Sequence, residues 1–138
     1  MKYVLAIIFI VLLGYALIRY EGMQRQKKIE IAFKDRESLS PDAFFEKYYG
    51  SKDIPDGIVK GVRKILEEQL DADLSQLSSI DDFSENLSFF WDYDSMADVE
   101  IVMALEEVFG IKIEDSEAGK ASTVNDIIML VFNKVKNA

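Results

Sequence analysis

From Tyr3 to Tyr20 the chain reads YVLAIIFIVLLGYALIRY, with no charge before Arg19. About 18 apolar residues rising ~1.5 Å each span close to the thickness of a bilayer's hydrocarbon, which predicts a single transmembrane helix. Tyr3 and Tyr20 stand where interfacial aromatic anchors belong. Lys2 alone precedes the span, whereas Arg19, Arg25, Lys27, Lys28, Lys34 and Arg36 follow it. The positive-inside rule then places the N-terminus outside and the C-terminal body in the cytoplasm. A cleaved signal peptide is the rival reading, since Gly14 and Ala16 supply small residues at cleavage spacing. The apolar run continuing through Leu17 and Ile18 favours a retained anchor.

Past this span the pattern becomes polar and then helical. Residues 21 to 39 have the look of a juxtamembrane stalk, with a brief apolar patch at Ile29, Ile31 and Phe33. Ser40, Pro41 and Asp42 form a helix start, and the short helix they open should run to about Tyr49 and pack Phe44, Phe45, Tyr48 and Tyr49 on the main body. Gly50 to Gly57, with Pro55 inside, breaks the chain. The next helix, from near Pro55 to Leu70, aligns Ile58, Val62, Ile65 and Leu66 in one apolar stripe. Residues 71 to 94 carry no convincing period, and a loop of that length inside a compact domain suggests function. Phe83 and Leu87 should pin it to the core.

A third helix is expected from Ser95 to about Phe109, burying Ile101, Leu105, Val108 and Phe109. Its opposite face carries Met96, Glu100, Met103 and Glu107. Gly110 closes it, and Ile111 to Lys120 has room for one short helical turn. Thr123 with Asp126 forms a capping-box-like pair. Val124, Ile127, Ile128, Val131, Phe132 and Val135 then follow at helical spacing. The fold class is therefore all-α: a small bundle of three main helices plus one short one, preceded by a single transmembrane helix and an extra short helix. The divisions are 1–20 as anchor, 21–54 as stalk and aromatic helix, and 55–138 as the helical domain.

Charge narrows the partners. Residues 1–36 hold seven basic against three acidic side chains, and residues 37–138 hold nine against twenty-two, which together give the net charge of −9. So acidic a body repels nucleic acid and favours basic protein patches. With no Cys and no His, thiolate nucleophiles, imidazole acid/base catalysis and the usual zinc sets are excluded, so an enzyme is not expected. Asp71, Asp73, Ser75 and Asp82 fall on a calcium-loop template, but Gln76 replaces the Gly of its sharp turn and Asp82 its bidentate Glu. A solvated acidic loop is the better account.

The stretch DSMADVEIVMALEEVFGIKIEDSEAGKASTVNDI, from Asp94 to Ile127, resembles the second half of an acyl carrier protein. That family opens its second helix with an Asp-Ser-Leu motif, on which Asp94, Ser95 and Met96 fall. Its acidic, Met-containing helix ends in a Glu-Glu-x-Phe run, matched by Glu106, Glu107 and Phe109. A weaker likeness reaches back to Ile58. The approach to the Ser, by contrast, is longer here and lacks Gly, inserting SFFWDY at Ser88 to Tyr93.

The resemblance implies covalent 4′-phosphopantetheine on Ser95, delivered from coenzyme A by a phosphopantetheinyl transferase. Acyl-loading and acyl-accepting enzymes would be further partners, and their basic patches would dock on Glu100, Met103, Glu106 and Glu107. Read on its own, Ser95 with Asp98 three residues on is also an N-cap pattern. The implied function is a membrane-anchored acyl carrier; the alternative is a membrane-tethered interaction or regulatory module with Ser95 unmodified.

Overall fold

The computed structural model describes residues 2–137, which cluster as two compact units, one up to Lys34 and one from Asp35 onward. The first unit is essentially one helix, α1 (Lys2–Ala32). The apolar span continues without a break through the polar stretch expected as a stalk, because residues 21 to 32 contain neither Pro nor a capping sequence that would stop a helix. At 31 residues it is about 46 Å long. Its apolar window has a mean hydropathy of 2.2 and none of it is buried, and among the described residues no other helix is long and apolar enough to cross a bilayer.

The second unit contains α2 (Pro41–Tyr49), α3 (Asp56–Leu70), a single turn α4 (Phe90–Tyr93), α5 (Ala97–Phe109), α6 (Asp115–Lys120) and α7 (Val124–Lys136). Among the described residues there is no strand, only an isolated bridge between Asp82 and Thr123. α3 packs against α2, α5 and α7, α5 also meets α7, and α6 lies on α7. The all-helical bundle therefore forms with α3 at its centre. The stripe on α3 is buried as its period requires, and Val59 joins it with no exposure at all. Burial of each such side chain stabilises by about 1.5–3 kcal/mol.

The helix ends follow from their caps. Ser40 Oγ accepts the Ala43 N–H at 3.1 Å ahead of Pro41, where the missing N–H costs nothing. Thr123 and Asp126 complete a reciprocal capping box at α7. Gly110 ends α5 at φ +62°, a left-handed conformation that residues with a side chain rarely adopt.

Two expectations about packing need correction. In α5 the buried residues are Ala97, Ile101 and Leu105, while Val108 is 63% exposed. Phe109 is half-buried, and its ring lies so close to Gly61 that a Cβ there would come within 2.8 Å of it. The helix turns its last residues past the core because the chain must reverse at Gly110. In α2 only Phe44 and Tyr49 are buried; Phe45 and Tyr48 are half-exposed.

Tyr49 is completely buried and donates its hydroxyl to Asn125 Oδ1 at 2.7 Å, joining α2 to α7. Burial pushes its pKa up to about 12. Between the ordinary phenol value of about 10 and that value, the unfolded chain releases the proton while the folded one keeps it, so stability falls as pH rises. The slope attributable to Tyr49 approaches ~1.4 kcal/mol per pH unit. Denaturant titrations of the detergent-solubilised chain from pH 9 upward should therefore show a fall that Tyr49→Phe makes shallower; equal slopes would refute this.

Candidate phosphopantetheine site

The segment from Leu77 to Asn86, expected as a loop, is tightly bonded. Asp81, 2% exposed, accepts from both terminal nitrogens of Arg36 at 2.7 and 2.9 Å, from the Ser78 N–H at 2.8 Å and from Asn86 Nδ2 at 3.0 Å. Val124 N–H bonds to Asp81 O, and Phe83 N–H to Ser122 O, which ties the loop to the start of α7. Phe83 and Leu87 are both buried, as expected. The acidic residues of the calcium template bond to the protein itself: Asp73 accepts the Ser75 N–H at 2.9 Å, which holds its carboxyl below the usual range. Among the described residues no cluster of acids could hold a metal ion.

The aromatic insertion folds inward. Phe90 is buried and stacks on Phe89, and Trp91 packs its ring on Phe83. Trp91 donates its indole N–H to Phe83 O at 2.9 Å, which fixes the ring against the loop. Ser95 follows α4 in an exposed turn.

The start of α5 differs from the expectation that Ser95 begins it. The helix opens at Ala97 with no side-chain cap, so the capping role foreseen for Ser95 is not filled. Asp94 Oδ1 instead accepts the Met96 N–H at 3.0 Å, while Asp94 O accepts from Ala97 N–H at 3.3 Å. Asp94 wins this competition because an acceptor two residues before the N–H closes a short turn of its own. The Ser95 hydroxyl is left at the crest of that turn. These features fit a covalent arm: the oxygen is exposed, it is not used by the helix, and the positive end of the α5 dipole favours a phosphodiester's negative charge.

A family described as "Phosphopantetheine attachment site" matches residues 60–131. The chain belongs to the acyl carrier protein family. It is 40% identical over 78 residues to the acyl carrier protein of Thermosynechococcus vestitus, covering 56% of this chain and 91% of that one. The acyl carrier protein of Cylindrotheca sp. is 37% identical over 78 residues, 56% of this chain and 92% of its own. That of Helicobacter hepaticus is 39% identical over 72 residues, 52% and 90%. Acyl carrier proteins carry groups and do not catalyse, and membership implies a phosphopantetheinyl transferase and acyl-transferring enzymes as partners. When bound, the prosthetic group supplies a thiol for thioester formation.

The other residues singled out on α5 divide. Met96, Glu100, Met103 and Glu107 are all exposed, and helical spacing gathers them on one face with the half-exposed Val99. Glu106, seven residues after Val99, lies at the edge of that face. It is half-buried and accepts the Ile113 N–H at 2.9 Å, fastening the segment after Gly110 back onto α5. Beside it an open groove of about 800 Å³ runs between α5, α6, α7 and the aromatic loop, walled by Phe83, Trp91, Val102, Ile113, Ala118 and Leu130. Sequence reasoning missed this groove, as well as the roles of Arg36 and Asp81. The only hint was a buried-type pairing of opposite charges 45 positions apart, which carries no local pattern.

Proposed function

We propose that this acyl carrier is membrane-anchored through α1, with the phosphopantetheine arm on Ser95 and the body in the cytoplasm, where coenzyme A is at hand. In loading, Ser95 Oγ attacks the pantetheine-side phosphorus of coenzyme A. The pyrophosphate P–O bond breaks, adenosine 3′,5′-bisphosphate leaves, and the hydroxyl proton passes to a base of the transferase. Asp94 holds the turn that presents the oxygen. Glu100 and Glu107, with Met96 and Met103, form the surface for basic partners, and the groove beside Trp91 shelters the apolar end of the cargo.

The observation that carries this reading is the exposed, uncapped hydroxyl of Ser95 immediately before α5. The apolar window of α1, none of it buried, supports the anchor, and tethering would raise the local concentration of cargo for enzymes at the bilayer. Purified chain given coenzyme A, magnesium and a phosphopantetheinyl transferase should gain the phosphopantetheine mass, and Ser95→Ala should gain none. In the native host the chain should stay with membranes through alkaline carbonate washing; release into the wash, or loading of the Ala variant, would contradict the proposal.

A further inference from the structure

The segment from Asp81 to Trp91 forms a closed bracket immediately ahead of Ser95. Asn86 spans its first part, donating to the Asp81 carboxylate and accepting the Asp82 N–H at 2.8 Å. Asp82 O then accepts from the N–H groups of Glu85 and Leu87, and successive turns carry the chain to α4. The bracket closes where the Trp91 indole bonds back to Phe83 O. Only three residues separate Trp91 from Ser95.

Besides its backbone bonds to the start of α7, this bracket is gripped from outside by the side chain of Arg36. Arg36 lies four residues beyond the end of α1, in the connector that leads from the apolar helix to the carrier body. Its guanidinium makes the bidentate pair with Asp81, and Gln76 Nε2 donates to Arg36 O at 2.5 Å. Two residues further on, Ser38 Oγ bonds Ser75 Oγ and Leu39 N–H bonds Ser75 O, both at 2.7 Å. The connector is thus zipped along the loop, and a buried carboxylate inside the bracket depends on Arg36 for its countercharge. The family match covers residues 60–131, so the connector and Arg36 lie outside the matched region while Asp81 lies within it.

We propose that Arg36 is a positioning residue for loading at Ser95, making presentation of the serine conditional on the connector's grip on Asp81. The inference rests on Ser95 being the attachment point. Without the clasp the Asp81 carboxylate must rehydrate, the bracket loosens, and the turn at Asp94 to Met96 is offered to the transferase in many orientations instead of one.

Trp91 is the single tryptophan of the chain, so its emission reports the bracket directly. Full-length chain in detergent micelles is loaded by a phosphopantetheinyl transferase with coenzyme A, at a temperature where circular dichroism shows it folded. Arg36→Met should raise KM for the chain, lower kcat/KM by about tenfold and shift Trp91 emission to the red. Arg36→Lys should restore much of both. The double variant R36Q/D81N, which removes both charges, should fold well and still load slowly. Unchanged KM and emission in either the Met or the double variant would overturn the proposal, and so would loss of the fold in both, since the residue would then be structural only. Failure of the attachment reading itself is separate: it would appear as a mass increment surviving Ser95→Ala.

Discussion

Replacing Arg63 with alanine should lower the thermal midpoint of the carrier body by roughly 10–20 °C. Arg63 is 4% exposed on the central helix α3. It donates to Leu39 O at 2.6 Å, to Ser40 O at 3.1 Å and to Glu67 Oε1 at 3.1 Å, and lies over the Phe44 ring at 5.3 Å. One side chain therefore joins α3 to the chain entering α2. Truncation would orphan a buried carbonyl and uncover the Phe44 ring, which together cost about 3 kcal/mol. The Glu67 pair adds little, because that carboxylate is partly solvated. Lysine should recover less than half, lacking the planar fork that reaches two carbonyls at once. A midpoint within a few degrees of wild type for Arg63→Ala would show that α2 is not held this way.

Reversing Glu100 and Glu107 together to lysine should slow loading by roughly ten- to a hundredfold at low salt, chiefly through KM. Both carboxylates are exposed on the face that carries Met96 and Met103, the latter 61% exposed. An attraction between exposed charges should fade as the Debye length contracts to about 8 Å at physiological ionic strength, so the loss should shrink when salt is added. Glu106 provides the contrast. Its carboxylate bonds the Ile113 N–H, so Glu106→Ala should lower stability by about 1 kcal/mol and leave the salt dependence of loading unchanged. If Glu106→Ala altered KM as strongly as the double reversal, the docking face would be wider than the exposed stripe.

Elements governed by local rules were legible in the chain itself. The Ser40-Pro41 start of α2, the stripe on α3 and the Thr123 and Asp126 box on α7 each depend on neighbours within a few positions, and each is found. The start of α5 was less legible because Asp94 and Ser95 are adjacent, equally plausible acceptors. Only the folded turn decides that Asp94 takes the Met96 N–H and leaves the serine free. The inward turn of the SFFWDY insertion was hidden for a similar reason, since nothing near Trp91 in sequence announces a partner at Phe83 O. The pairing of Arg36 with Asp81 lies beyond any local period, and it is one of several long-range bonds that order the loop.

The most direct measurement is peptide-level mass spectrometry of the chain purified from the membranes of its native host. The peptide that contains Ser95 should carry the phosphopantetheine increment, and the protein, which has no Cys of its own, should hold a titratable thiol. An unmodified Ser95 peptide, or the increment on a different serine, would contradict attachment at Ser95.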